Sequence, residues 1–172
     1  MTDDPAHEPI TTENLLRHLD EGWAALQTYL GSLAEAQIAG PTDAEGWTVK
    51  DHLMHIVRCE EGMLAMLDKK PYGEGLGVDP ALWEADIDEQ NAVMKEEDEG
   101  KSVGEVRQAL RDSHERMRAK LASLTDADLV LPRRHFGASS AGEDPIIWTI
   151  VGDTYGHYEE HLPWMKAITG SE

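Results

Sequence analysis

Apolar residues recur every three or four positions in four separate segments of this 172-residue chain, and this spacing constrains its fold more than any other feature. It places the apolar side chains on one face of an α-helix, and that face must be buried against other helices. The first segment is predicted to run from about Thr12 to Leu33. Its apolar stripe consists of Leu15, Leu19, Trp23, Leu26, Leu30 and Leu33. The chain is therefore predicted to be all-α.

Capping signals mark where the second and third helices begin. Thr48 and Asp51 have the spacing of a capping box, in which a hydroxyl and a carboxylate three residues later bind free amides of the first turn. Ser102 and Glu105 repeat this pattern. The second helix is therefore predicted to start at Thr48 and to end near Pro71, and the third to start at Ser102. Their apolar stripes are Val49, Leu53, Ile56, Met63 and Leu67, and Val103, Val106, Leu110, Met117, Leu121 and Leu124.

The connection between these two helices, from Pro71 to Lys101, is long and rich in glycine and acidic residues. A connection of this length in a compact domain usually has a structure or a function of its own. We predict a short helix from Pro80 to about Lys95, and a wall or lid beside a ligand pocket. Within it, Trp83 and Asn91 are expected to face the pocket. The alternative for Trp83 is that it anchors the connection to the helices.

The fourth helix is predicted to begin near Asp144-Pro145 and carries two histidines on its apolar stripe. The stripe consists of Ile150, Thr154, His157, His161, Trp164 and Ile168. His157 and His161 are one turn apart on one face, so both imidazoles could bind one metal ion. The alternative is a pair of hydrogen-bonded or exposed histidines without a metal. Pro163 is expected to kink this helix just after His161.

A third ligand would have to come from another helix. Helix two offers His52, His55 and Cys59, which share a face. A lone cysteine of this kind is more often a core residue. The other histidines have no paired partner; His18, His114 and His135 are predicted to lie at the surface, and His7 in a disordered tail. Tyr158 follows His157 where zinc proteases need a glutamate, which excludes that class.

The charge of the chain limits its partners. It has 34 acidic and 15 basic residues, a formal net charge of −19, and no basic stripe that could neutralise phosphates. We therefore expect no nucleic acid and no anionic membrane as a partner. The single cysteine excludes an intrachain disulfide, and neither a signal peptide nor a membrane-spanning apolar run is present, so a cytoplasmic location is expected. Residues 1–10 are predicted to be a disordered tail and residues 11–170 a single domain.

Two of these segments resemble the DinB/YfiT-like superfamily. Residues 46–55 (GWTVKDHLMH) are similar to its helix-two signature, and residues 157–164 (HYEEHLPW) to its last-helix signature. The resemblance is closest to the branch named for ClbS and DfsB, to which residues 87–92 and 124–129 are also similar. It covers about residues 12–168. It implies a four-helix bundle of up-down-down-up topology with a long connection between helices two and three.

The resemblance also implies a divalent metal held by three histidines. By position these are His55, His157 and His161, with His52 close enough to reach the same site. Zinc is favoured by its availability, and nickel or iron would also suit imidazole ligands. Four carboxylates are candidates to orient a ligand imidazole, with Asp153 preferred because it precedes His157 by one turn: Glu60, Asp153, Glu159 and Glu160.

Members of this superfamily include thiol-dependent S-transferases, a thiol-dependent maleylpyruvate isomerase and a hydrolase that opens a cyclopropane. The resemblance thus implies a metal-dependent transferase or hydrolase acting on a small molecule. Its nucleophile would be a low-molecular-weight thiol, such as bacillithiol or mycothiol, or a metal-bound water. One alternative is a non-catalytic bundle that protects by sequestering a metal or a toxin, and another is a structural helical dimer without a metal. A homodimer is also expected. The chain has five tryptophans and a long connection, and a contiguous exposed apolar patch usually marks an interface.

Overall fold

The computed structural model describes residues 8–137 and 142–170, and within these ranges the chain is helical without a strand. The long helices are α1 (Thr12–Gly31), α3 (Val49–Leu67), α6 (Val103–Ala122) and α9 (Tyr155–Thr169). The shorter ones are α2 (Glu35–Ala39), α4 (Tyr72–Leu76), α5 (Ile87–Asp98), α7 (Asp126–Leu129) and α8 (Ile146–Gly152). The all-α prediction is confirmed. No described helix has the length and apolarity needed to cross a membrane.

Both predicted capping boxes are present. The Thr48 hydroxyl accepts the amide N–H of Asp51, and the Asp51 carboxylate accepts the amide N–H of Thr48 at 2.9 Å. Ser102 and Glu105 make the reciprocal pair at the start of α6. Each box satisfies amides that have no partner within the helix, so it fixes where α3 and α6 begin.

The core lies between the four long helices. Helix α1 packs against α6 and α9, and α3 packs against the same two helices. Fully buried side chains from these helices fill the space between them, among them Leu19, Leu26, Leu53, Ile56, Leu110 and Met117. Burying each such side chain contributes roughly 1.5–3 kcal/mol relative to exposure. The packing of α3 on α9 brings the histidine-bearing faces of these two helices together.

The predicted fourth helix is interrupted. Helix α8 ends at Gly152 and α9 starts at Tyr155, whereas the apolar spacing predicted a single helix. Thr154 has non-helical backbone angles, and its hydroxyl donates to the carbonyl of Ile150 at 2.6 Å. Gly156 allows the close approach, because a Cβ there would lie 2.7 Å from the carbonyl oxygen of Val151. Helix α9 then continues past Pro163, so the proline does not end it.

The connection between α3 and α6 has a different structure from the one predicted. Residues Pro80–Leu82 form a 3-10 turn, and α5 begins only at Ile87, where the Asp86 carboxylate accepts the N–H of Asp88. Helix α5 packs against α3. The Trp83 indole donates to the carbonyl of Val78 at 3.1 Å and packs on the small apolar cluster of Leu76, Val78 and Met94. Trp83 therefore anchors the connection and does not line the histidine cavity described below.

One histidine prediction is wrong, and one falls outside the described residues. His114 is buried, not at the surface: its ring stacks on Trp23 with 3.8 Å between centroids, and its Nδ1 lies 3.3 Å from the Tyr158 hydroxyl. His135 is exposed, as predicted, and His18 is partly buried. His7 belongs to residues 1–7 of the predicted tail, which lie outside the described ranges.

Candidate metal centre

The structure brings together the three histidines that the sequence indicated as ligands. His55 of α3 meets His157 and His161 of α9, and one ring nitrogen of each lies within 4.8 Å of the others. The centroid of the His157 ring is 4.5 Å from that of His161 and 4.9 Å from that of His55. Three imidazoles from two packed helices thus surround one point.

Burial keeps these three imidazoles neutral. His157 and His161 are buried and His55 is partly buried. Loss of hydration, reinforced by the neighbouring rings, lowers the pKa of His55 to about 4, of His157 to about 3 and of His161 to about 2. At pH 7 each ring therefore has a lone pair available, which is the form that binds a metal.

The residues present fit a divalent metal ion. The Nδ1 atoms of His55 and His157 are buried and have no hydrogen-bond partner. A buried polar atom without a partner costs about 1–3 kcal/mol, and coordination would remove that cost. A set of three imidazoles suits Zn²⁺, and it also suits nickel and iron.

The histidines form one wall of a cavity of about 770 Å³. Trp47 and Trp164 flank them: the Trp47 ring lies 5.7 Å from the His55 ring, and the Trp164 ring 4.9 Å from the His161 ring. Asn91 of α5 also lines the cavity, as expected from the sequence, and its buried Oδ1 has no hydrogen-bond partner. The cavity is therefore large enough for a small molecule and opens directly onto the imidazoles.

A family model described as the DinB superfamily matches residues 18–162. The chain belongs to the DinB superfamily. No curated protein and no solved structure matched it. The matched range contains all three histidines as well as the connection that carries Asn91.

In this DinB-superfamily chain, His52 contacts one of the three converging histidines and is not itself a member of that set. Its Nδ1 lies 2.9 Å from Nδ1 of His161, and its Nε2 lies 3.3 Å from Oδ2 of Asp43. The other oxygen of Asp43 accepts the amide N–H groups of Glu45 and Trp47 at 2.9 and 2.8 Å. The Asp43 carboxylate is therefore held in place facing His52. Sequence reasoning missed Asp43, because a loop aspartate has no periodicity that relates it to a histidine.

The contacts from Asp43 to His52 and from His52 to His161 select the tautomers of the two histidine rings. When Asp43 accepts the Nε2–H of a neutral His52, Nδ1 of His52 carries a lone pair. That lone pair accepts the Nδ1–H of His161, so Nε2 of His161 is left with its lone pair free. The Asp43–His52 pair therefore prepares His161 to bind a metal through Nε2.

Asp153 has a different place from the one expected. Its carboxylate lies close to the hydroxyl of Tyr72, which is also close to the Cys59 thiol. The Cys59 sulfur is in turn 3.7 Å from Nε2 of His55. Among the described residues no hydrogen bond joins Asp153 to His157, so Asp153 reaches the histidines only through Tyr72 and Cys59. Burial raises the pKa of the Cys59 thiol, which makes it a packing residue and not a nucleophile.

The three glutamate candidates are separated by the fold. Glu160 is exposed and lines the histidine cavity. Glu159 is exposed beside a separate shallow pocket next to Tyr158. Glu60 is fully buried in the core, where Ser113 and Tyr158 donate hydrogen bonds to its two oxygens, so it orients no imidazole.

Proposed function

We propose that this DinB-superfamily protein is a metal-dependent transferase or hydrolase of a small molecule, with a thiol or water as nucleophile. The observation that carries the proposal is the open 770 Å³ cavity whose wall contains three converging imidazoles, two of them with unpartnered buried nitrogens. Three protein ligands leave a coordination position for a substrate or nucleophile, as catalytic sites do. We also propose that the chain belongs to the ClbS/DfsB branch and that its long helices have the up-down-down-up topology. The motifs at residues 46–55 and 157–164 support both proposals.

The residues of the cavity have separable roles in this proposal. His55, His157 and His161 would hold the metal, which when bound lowers the pKa of a coordinated water or thiol towards ~7. The Asp43–His52 pair fixes the tautomer of His161. Trp47 and Trp164 cover part of the imidazoles, and Asn91 supplies a polar group to the wall of the cavity that the substrate enters.

The function is tested by comparing metal-free and zinc-loaded protein on two model reactions. One is the hydrolysis of p-nitrophenyl acetate. The other is the reaction of added free cysteine with 1-chloro-2,4-dinitrobenzene, in which the thiol forms a C–S bond and chloride leaves. We expect zinc to increase at least one rate by ~10-fold or more, with more than one turnover per site. Stoichiometric binding of zinc without any zinc-dependent rate would instead support the sequestering alternative.

The role of the Asp43–His52 pair gives a separate prediction. Asp43→Asn places an amide donor where the carboxylate accepts, so His52 must reverse its tautomer and can no longer accept from His161. We expect zinc affinity, measured by competition with a chromophoric chelator, to fall by ~10–100-fold. Glu159→Gln removes an exposed carboxylate from α9 away from the cavity and should leave the affinity unchanged.

The outcome at His52 distinguishes a positioning residue from a ligand. We expect His52→Ala to weaken zinc binding less than His157→Ala does. An equal loss would make His52 a ligand, and an unchanged affinity in both Asp43→Asn and His52→Ala would contradict the positioning role.

The homodimer and the cytoplasmic location stay predictions of the sequence. Exposed apolar side chains that a partner could cover are present on three short helices or their ends: Ile87, Val130 and Trp148. We expect light scattering at micromolar concentration to give twice the mass of the chain, and Trp148→Glu to lower it. The mass of a single chain for the unmodified protein would contradict the homodimer.

A further inference from the structure

The mouth of the histidine cavity carries carboxylates that have no cationic partner. Glu45 and Glu160 are exposed and line the cavity, and neither forms an ion pair with any described residue. No described lysine or arginine lines the cavity. Acidic side chains elsewhere on the surface do pair across helices, as Asp20 does with Arg118 at 2.7 Å. Every charged side chain among the residues that line this cavity is therefore a carboxylate.

One polar residue of the cavity wall has an acceptor without a partner. Asn91 lines the cavity, and its Oδ1 is buried and makes no hydrogen bond. A buried acceptor without a partner costs about 1–3 kcal/mol, so a nearby donor on a bound molecule would be favourable.

Two tryptophan side chains also line the histidine cavity. Trp47 and Trp164 lie on either side of the histidines, with ring centroids 5.3 and 6.1 Å from that of His52, and Trp164 is 47% exposed. The face of an indole attracts cations. The ammonium group of Lys95 lies 5.9 Å from the centroid of the Trp47 ring. It donates a hydrogen bond to the carbonyl of Gly46, and Lys95 lines a neighbouring cleft and not the histidine cavity.

From these observations we propose that the histidine cavity takes a small molecule that bears a protonated amine or a quaternary ammonium group. The inference rests on the proposed function, since it names the substrate class of the same cavity. The indoles and the carboxylates of Glu45 and Glu160 bind the cationic group, and the rest of the molecule extends towards the histidines. Anionic substrates are disfavoured by the same carboxylates.

A matched pair of probes tests the charge preference. Choline and 3,3-dimethyl-1-butanol have nearly the same shape, and only choline is charged. We expect ligand-observed NMR titrations at fixed ionic strength to show choline binding ~3–30-fold more tightly. The preference should fall in Trp164→Leu and in Glu160→Gln. It should persist in Trp148→Leu and in Glu159→Gln, which remove an exposed indole and an exposed carboxylate outside the cavity.

The results that would overturn the inference are equally specific. Equal binding of the two probes, no binding of either at tens of millimolar, or tighter binding of 3,3-dimethylbutanoate would each contradict it. An equal loss in Glu160→Gln and Glu159→Gln would assign the preference to the acidic surface in general, and an equal loss in Trp164→Leu and Trp148→Leu would assign it to exposed indoles in general. A zinc titration of the same samples separates the two proposals. Zinc binding without a choline preference overturns only this inference, whereas a choline preference without zinc binding overturns only the metal-dependent function.

Discussion

Replacing His157 with alanine is expected to abolish tight zinc binding. His157 and His161 lie one turn apart on α9, and His55 is the third member of the converging set. Removing one of three ligands should cost more than the ~10–100-fold typical of removing a residue that only orients a ligand. Isothermal titration of metal-free protein should therefore show an affinity weakened by more than ~100-fold, and His161→Ala should behave in the same way.

The thermal stability of the protein provides a second measurement of the same effect. An ion that binds only the folded state raises the stability by RT ln(1 + [L]/Kd), so zinc should raise the Tm of the unmodified protein and not that of His157→Ala. His135→Ala is the matched control, because His135 is exposed, does not line the histidine cavity and is not one of the converging histidines. Unchanged zinc binding in both His157→Ala and His161→Ala would show that these histidines hold no metal.

The second large effect is expected at Glu60, which is buried in the core away from the cavity. Its carboxyl group receives hydrogen bonds from Ser113 and Tyr158 and faces no cation closely enough to form an ion pair within the described residues. Burial raises the pKa of Glu60 from its ordinary value near 4.5 to about 7, although the two hydrogen bonds oppose the shift. The folded protein thus holds this proton more tightly than the unfolded chain does.

The sign of the pH dependence follows from that difference. The stabilisation from protonated Glu60 is complete below pH 4.5, where both states are protonated, and is lost as the pH rises through 7. Glu60→Gln keeps an uncharged side chain of the same shape. Between pH 5 and pH 8 we expect the free energy of unfolding of the unmodified protein to fall by about 2 kcal/mol relative to the variant.

Urea unfolding of the metal-free proteins measures this difference. Other groups with shifted pKa values, including Asp153 at about 7, titrate in both proteins and cancel in the comparison. Glu159→Gln, which changes an exposed glutamate, should follow the unmodified protein at every pH. Parallel stability curves for the unmodified protein and Glu60→Gln would contradict the raised pKa.

The sequence by itself determined the apolar faces of α1, α3 and α6, the starting points of α3 and α6, and the histidine pair on α9. These features depend on interactions within one or two turns. The capping boxes Thr48–Asp51 and Ser102–Glu105 span three residues each, and the spacing of His157 and His161 places both rings on one face wherever the helix packs. The resemblance of short motifs then indicated His55 as the third candidate ligand, whereas the periodicity of helix two alone did not distinguish it from His52.

Only the tertiary structure decided the roles of the residues around those histidines. His52 and His161 are 109 positions apart, and Glu60 and Tyr158 are 98 apart, so nothing local relates the members of either pair. The rotation of α3 against α9 sets which helix-two histidine converges with the α9 pair and which one bridges to Asp43. Local sequence specifies helices and faces, whereas the partners of a buried polar group are fixed only when packing brings distant segments within hydrogen-bond distance.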